Sequence, residues 1–476
     1  MENLKSPWTY QLQRNRPLYI LETDVVADVC IIGGGISGVM TAYYILKYTN
    51  HKVLLIDAVE IAHGATGHNG GQLVAELERS LTSLVAEYGL QESVEALKCI
   101  ESAWLMLEEV IRDAELTMTY STFIGYDVYT TETQIHNRLA DLALAHEGGL
   151  HNRKMYIAEE FLSKMNIPEN YSQYYEVIPH ESILSLCESI NPAYIAAYPL
   201  RKGCLNSAVL TEQLISYLIA TYGIKRIEVY EKSPVTSVLL KDNHAEIEVA
   251  SGKKITAKKV IMCTNGFEHF KIEAEKDNLD FTFHKHVKGL VGYMYARTEN
   301  MDQNPSARAY FGKEADEPDE IAKQLHVDPD RDIIYKGEYI YATRRPYDLG
   351  DNAHPKNLFC LGGKEYIMED SSLYSKDHVY GKEIKDDFEQ FAKENFEYKK
   401  ADEGHIEFVW HGLMGYTANG LRMVGFDPRH DVLMYNLGCN GIGLLPSIWS
   451  SKRIATLLNG DTTPSLFDPV FDPEKA

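Results

Sequence analysis

Gly33, Gly35 and Gly38 stand at the spacing G-x-G-x-x-G, directly after the apolar run Val29-Cys30-Ile31-Ile32. Three glycines so placed serve one kind of chemistry. The first makes a tight turn, and the second leaves the backbone bare of a Cβ where a pyrophosphate rests on N–H groups and the positive end of a helix. The third lets helix and strand pack closely. Ile36 and Ser37 fill the turn between them. Beyond it, Val39, Met40, Tyr43, Tyr44 and the stem of Lys47 recur at helical spacing, which predicts a helix laid on a sheet. Residues 52–57 read as a second buried strand ending in Asp57, with Ala58 after it. Asp57 lies about 20 residues past the glycine turn, where a carboxylate accepts hydrogen bonds from an adenosine ribose. The bland alternative is an ordinary βαβ unit with a surface Asp, and the registration of all the parts counts against it.

The elements that must carry this turn belong to a chain of 476 residues, too long for one compact core, so two or more domains are expected. A hydrophobic content of 45% with 24% charged residues is that of a globular protein, and no run approaches the length of a membrane span. The first 24 residues carry Arg14, Arg16, Glu22 and Asp24, a polar stretch unlike a signal peptide. A net charge of −22 argues against nucleic-acid partners and anionic membranes, which both require local positive potential. The seven cysteines are scattered with no CxxC pair, which fits a reducing, cytoplasmic setting. No metal-ligand constellation is visible.

Residues 1–27 read as an arm that Trp8, Tyr10 and Tyr19 pack onto the body. After the βαβ unit comes a loop, 61–72, so rich in glycine and small polar residues that its backbone must pass close to something. A helix is expected over 73–115, with Val94, Leu97, Ile100, Trp104, Leu107 and Ile111 on its core face. Strand and helix alternate over 116–200. From 208 a helix leads to short strands at 226–229, 235–240 and 244–249, then to the run 260–263 ending in Thr264-Asn265-Gly266, a meander returning to the first sheet. A second set of strands falls at 287–296, 335–343 and 358–361, with an acidic excursion over 313–332 and a helix near 382–397. The chain closes with a strand at 432–437, the glycine turn Gly438 to Gly443, and a helix over 446–458.

At this point the sequence resembles the FAD-dependent amine oxidoreductases of the D-amino-acid oxidase and glycine oxidase superfamily, nearest the gamma-glutamylputrescine oxidoreductase subgroup. The likeness is carried by residues 27–35, 64–72, 263–266, 410–417 and 437–443; about 81–200 and 271–400 match only loosely. It implies an α/β chain, α+β overall, with a Rossmann-type FAD-binding domain formed by 1–80, 201–270 and 405–476. A substrate domain on a mixed or antiparallel sheet would comprise 81–200 and 271–404. By the same resemblance, Gly33, Gly35 and Gly38 hold the FAD pyrophosphate and Asp57 the ribose, where the family more often has Glu. Val235 meets the adenine side, and Thr264 and Gly266 lie near pyrophosphate and ribitol. Gly64, Ala65, Thr66, Asn69, Gly70 and Gly71 pass along the cofactor toward the isoalloxazine ring. Gly438, Asn440, Gly441, Ile442 and Gly443 face its pyrimidine end. His68 aligns with the histidine that related dimethylglycine and sarcosine dehydrogenases link covalently to flavin, where the putrescine-type subgroup has Arg; a covalent link and a noncovalent lining role both stay open.

The implied chemistry is oxidation of a small amine or amino acid by hydride transfer to flavin N5. An imine forms and hydrolyses, and electrons pass to O2 or another acceptor. Tyr341 and Arg344 fall roughly where the family binds a substrate carboxylate, although Arg344 reads equally as a salt bridge. Lys288 is a candidate oxygen-activating cation, and His411 a further candidate without assigned role. Two other readings remain: a noncatalytic FAD subunit of a heteromeric oxidoreductase, and a flavin monooxygenase or reductase, which would need a second nicotinamide fingerprint that the sequence lacks.

Overall fold

The computed structural model describes residues 2–3, 5–276, 287–301, 303–312, 339–349, 356–368, 370–376, 381–397 and 405–470. The excursion expected over 313–332 and the residues 284–286 beside Lys288 lie outside them. Two large sheets organise the described residues.

The nine-stranded sheet is centred on Val25–Ile32, which pairs in parallel with Lys254–Met262 on one side and Val53–Ile56 on the other. A strand flanked on both edges and covered on both faces must be apolar throughout, which is why Val29 to Ile32 show no alternation. Ile227–Tyr230 extends the parallel set beyond Val53–Ile56. On the other side Val235–Lys241, His244–Val249 and Lys254–Met262 form the expected antiparallel meander. His430–Leu437 joins Lys254–Met262 in parallel, so the end of the chain returns beside its beginning. The helices Ile36–Tyr48, Leu90–Asp113, Ser207–Tyr222 and Leu444–Leu458 share one apolar core with this sheet.

The helix expected over 73–115 is interrupted. Gln72–Val74 is a strand, and Gly89, at φ +86°, separates Leu81–Tyr88 from Leu90–Asp113. Its N–H closes the first helix on Val85 O at 3.0 Å, and its carbonyl accepts from Ser93 Oγ at 2.7 Å in the second. A left-handed glycine ends one helix cheaply and starts the next at a new angle. The predicted stripe survives in the second helix, where Val94, Ile100, Trp104 and Leu107 are buried.

The eleven-stranded sheet is largely antiparallel. Its middle runs Glu407–Thr417, Val287–Asn300, Lys356–Met368, Tyr339–Tyr347, Ser306–Phe311, Tyr120–Tyr129, Ala196–Leu205. Glu407–Thr417 pairs along its length with Val287–Asn300, so a boundary at 404/405 falls inside this sheet rather than between sheets. Gln72–Val74 likewise joins Ala196–Leu205. The glycine loop therefore leaves the first sheet and enters the second.

Candidate active site

The glycine turn is held from three directions. Gly33 N–H bonds to Ile56 O at 2.9 Å, Gly34 N–H to Asp57 Oδ2 at 2.7 Å, and Ile36 N–H to Thr66 Oγ1 at 2.9 Å. Asp57 Oδ1 also accepts from Val59 N–H at 2.7 Å. The carboxylate thus braces the turn itself. Burial pushes its pKa up while these two N–H bonds pull it down. A Cβ on Gly38 would stand 1.8 Å from Gly33 O, and one on Gly33, at φ +115°, would stand 2.5 Å from Cys263 O. These positions admit glycine alone.

The loop after the second strand is fastened just as tightly. Ala65–Gly67 makes a single 3-10 turn; Asn69 Nδ2 donates to Thr66 O at 3.0 Å and to Ser207 Oγ at 2.9 Å, and its Oδ1 accepts from Gly71 N–H at 2.7 Å. The N-terminal arm reaches this loop through Ser6 Oγ to Gly67 O and Trp8 Nε1 to Asn69 O. Arg345 donates to Leu205 O at 2.6 Å and Gly71 O at 3.2 Å, with its guanidinium over the Trp8 ring. The arm thus has a definite task, securing the loop.

At the far end of the chain, Cys439 N–H bonds to Asn265 Oδ1 at 2.8 Å and Asn440 N–H to Gly415 O at 2.9 Å. Asn440 Oδ1 accepts from Thr417 N–H at 2.8 Å. Gly438, Asn440 and Gly441 all have positive φ, which bends the chain sharply into the closing helix.

These three loops border one cavity of about 1010 Å³, at the upper end of the usual pocket range. Gly33, Gly35, Ile36, Ser37, Asp57 and Ala58 line it from the glycine turn. Gly64, Ala65, Thr66, His68, Asn69, Gly70 and Gly71 line it from the second loop, and Val235, Thr264, Gly441, Ile442 and Gly443 from the remaining turns. Gly38, Gly266, Gly438 and Asn440 stand behind the wall. A Cβ on Gly266 would meet Val287 at 2.5 Å and one on Gly438 would meet Thr417 at 2.6 Å, so their work is to let elements approach.

Among the substrate-side candidates, Tyr341 lines the cavity, its hydroxyl 2.9 Å from Met294 Sδ. Arg344 does not. Its guanidinium is engaged by Glu299 and by Glu188 at 2.5 Å, because strand alternation turns it to the face opposite Tyr341 and Arg345. The carboxylate-clamp reading is therefore replaced by the salt bridge. Lys288 is exposed and off the cavity wall. His411 is buried behind Gly412, its Nδ1 3.1 Å from the hydroxyl of Tyr374, which does line the cavity.

Several lining residues were given no individual role from the sequence. Asn265, at φ +60°, ties two turns together. Arg422 is buried, and loss of solvation lowers its pKa to about 10. Its signal was a lone cation at the edge of an apolar run. Burial lowers Lys376 to about 8 and His68 to about 3, which leaves His68 neutral at pH 7. His68 Nδ1 lies 3.0 Å from Gly64 O, an acceptor only, so Nδ1 carries the proton and Nε2 the lone pair. Glu78, Tyr339 and Glu365 add carboxylates and a phenol from the substrate side. Deeper in, Asp127 binds Lys202 Nζ at 2.8 Å and Arg138 Nη2 at 3.0 Å, so both cations are already paired.

Glycine-bordered backbone from the first strand–helix turn, the second loop and the final turn is the arrangement expected for one extended dinucleotide. A family described as FAD dependent oxidoreductase matches residues 28–457. The chain belongs to that family. Gamma-glutamylputrescine oxidoreductase of Escherichia coli K12 is 23% identical over 363 residues, 75% of each chain. Among solved structures, glycine oxidase from Geobacillus kaustophilus aligns over 93% of this chain and 98% of its own, with TM-score 0.61 and 14% identity. L-proline dehydrogenase from P. horikoshii aligns over 95% and 97%, with TM-score 0.59 and 14% identity. These structural likenesses establish the fold. The cofactor of this oxidoreductase is FAD, and its turns fit the group: Gly33, Gly35, Gly441 and Gly443 border the cavity with bare backbone and no side chain to fill it.

Proposed function

We propose that this oxidoreductase dehydrogenates a small amine or amino acid at its C–N bond. FAD, when bound, supplies the redox chemistry by accepting a hydride at N5. The imine left behind hydrolyses in water to an aldehyde or keto acid plus amine or ammonia. The observation that carries this reading is the convergence of the three glycine-bordered loops with Tyr341, Glu78 and Glu365 on one cavity.

In this reading Gly33, Gly35 and Ser37 hold the diphosphate, Asp57 and Ala58 border the ribose, and Gly70, Gly71 and Gly441 to Gly443 flank the ring. Tyr341 positions substrate against it, and the carboxylates of Glu78 and Glu365 attract an ammonium group. No protein nucleophile is required. The substrate domain corresponds to the larger sheet and the cofactor domain to the smaller. The seven free cysteines support a reducing compartment, the cytoplasm. Among the described residues no helix is long and apolar enough to cross a membrane.

The test is anaerobic mixing of the holoenzyme with amino acids, N-methyl amino acids and polyamines while flavin absorbance is followed. Bleaching by at least one class is expected. A flavin that stays oxidised with every compound overturns the reading in favour of a noncatalytic subunit. The rate of recolouring when air is admitted then tells O2 from another acceptor.

A further inference from the structure

Arg422 immediately precedes the strand Met423–Asp427, is 5% exposed, and lines the cavity. Its Nε donates to Asn436 Oδ1 at 2.9 Å and Ser450 Oγ at 3.0 Å. Its Nη2 donates to Ser37 Oγ at 2.5 Å and Asn436 O at 3.4 Å. Every one of these acceptors is neutral. Among the described residues no carboxylate forms an ion pair with it, whereas the buried Arg308, Arg344 and Lys202 each have one; Arg345, buried and bonded to Gly71 O and Leu205 O, stands off the cavity wall. A guanidinium does not lose its proton at neutral pH even when burial lowers its pKa, so the positive charge stays inside the protein.

The surroundings add to that charge. Ser37 lies in the first turn of Ile36–Tyr48 and Ser447 in the first turn of Leu444–Leu458, and their hydroxyls are 3.0 Å apart. Two helices therefore begin side by side. Each has a glycine N-cap, Gly35 or Gly443, without a side-chain capping bond, and neither has an acidic residue in its first turn. Two positive helix ends and a buried cation thus meet at one wall; the Asp57 carboxylate at the first helix end is taken up by Gly34 and Val59 N–H, and no carboxylate among the described residues pairs with Arg422, an arrangement that costs stability unless a ligand supplies the charge.

We propose that Arg422 is the counter-ion of the FAD diphosphate, a buried guanidinium whose charge is balanced only when the cofactor is in place. Its contact with Ser37, in the helix whose positive end faces the pyrophosphate, sets it at that group rather than at the pyrimidine edge of the ring, which Gly441 to Gly443 approach. The residue thereby couples cofactor retention to stability through a single charge.

The test compares Arg422→Gln and Arg422→Lys with the parent. FAD and ADP, which shares the diphosphate but lacks the ring, are titrated into flavin-free protein, and thermal midpoints are recorded with and without FAD. The Gln variant is expected to bind both ligands about 100-fold more weakly, the equivalent of one strong charge-assisted contact. Its flavin-free midpoint should be no lower than the parent's, and the Lys variant should keep most of the affinity. Loss of FAD affinity with ADP binding unchanged would place Arg422 at the ring and overturn the proposal. So would unchanged affinity for both ligands, or a flavin-free midpoint lowered as far as that of the FAD complex, the mark of a purely structural side chain. If the Gln variant does not fold, Arg422→Met, which also removes the charge, is put through the same comparison of FAD with ADP.

Discussion

A Cβ on Gly70 would lie 2.8 Å from Cε2 of Tyr341, so the glycine loop and the strand Tyr339–Tyr347 touch with no room for a methyl group. Gly362 approaches the same ring, where a Cβ would fall 2.5 Å from Cζ. Tyr341 thus packs closely on two glycines, one from the cofactor loop and one from the larger sheet. Gly70→Ala must push the ring or the loop aside. It is expected to lower kcat/KM about 10- to 100-fold, the scale on which a small misplacement near reacting groups acts, while the protein keeps its yellow colour. Steady-state kinetics of Gly70→Ala and of the double variant with Tyr341→Ala check this, since removing the ring should return part of the loss.

The turn glycines should not be equivalent. Gly33 combines φ +115° with a Cβ 2.5 Å from Cys263 O, whereas a Cβ on Gly35 meets only Thr66 Oγ1 at 3.1 Å. Gly33→Ala is expected to purify without flavin. Gly35→Ala should retain it with weakened affinity, because a hydroxyl can rotate away and a sheet carbonyl cannot. The ratio of flavin to protein absorbance in the purified variants reads both.

Arg344 bridges Glu299 and Glu188, with side-chain exposures of 10%, 22% and 37%. Arg344→Gln is expected to cost about 2 kcal/mol of stability, less than for a fully buried pair because Glu188 is partly in water. The KM values for carboxylate-bearing and carboxylate-free amines should shift together or not at all. Urea unfolding gives the first quantity, and kinetics on matched substrates the second.

His68 is neutral in the fold because burial holds its pKa near about 3, against an ordinary value of 6.5. A depressed folded value means stability fully present above pH 6.5, where neither state binds the proton. It is lost as pH falls from 6.5 toward 3, where only the unfolded chain takes the proton up. His68→Asn should therefore lose stability less steeply than the parent over that window, measured by urea midpoints of the flavin-free proteins. The parent's flavin is expected to pass wholly into the supernatant on acid precipitation. Colour remaining in the pellet would instead assign the Nε2 lone pair to a covalent bond.

Local rules made the cofactor half legible. Consecutive apolar residues bounded by G-x-G-x-x-G allow only a buried strand, a tight turn and a close-packed helix, and the observed strand Val25–Ile32 and helix Ile36–Tyr48 follow that pattern. The substrate half was less legible. Helical periodicity over 73–115 continued through Gly89 because a hydrophobic stripe does not register one left-handed residue. The sides of Arg344 and Arg345 were equally hidden. Alternation says that they face opposite ways, yet only the packed sheet assigns Arg345 to Gly71 and Arg344 to Glu299.

By itself the sequence determined that this chain binds an extended dinucleotide on a parallel sheet, since glycine spacing and apolar runs are conditions that neighbouring residues impose on one another. Only the tertiary structure decided which charges reach the cavity. Asp57 turned out to brace the glycine turn as well as border the cavity, and Lys288 to face solvent. Arg422, next to a strand far along the chain from Ser37, proved to share its hydrogen bond. Burial and pairing of a charge depend on residues hundreds of positions away, and that information exists only once the two sheets have closed on each other.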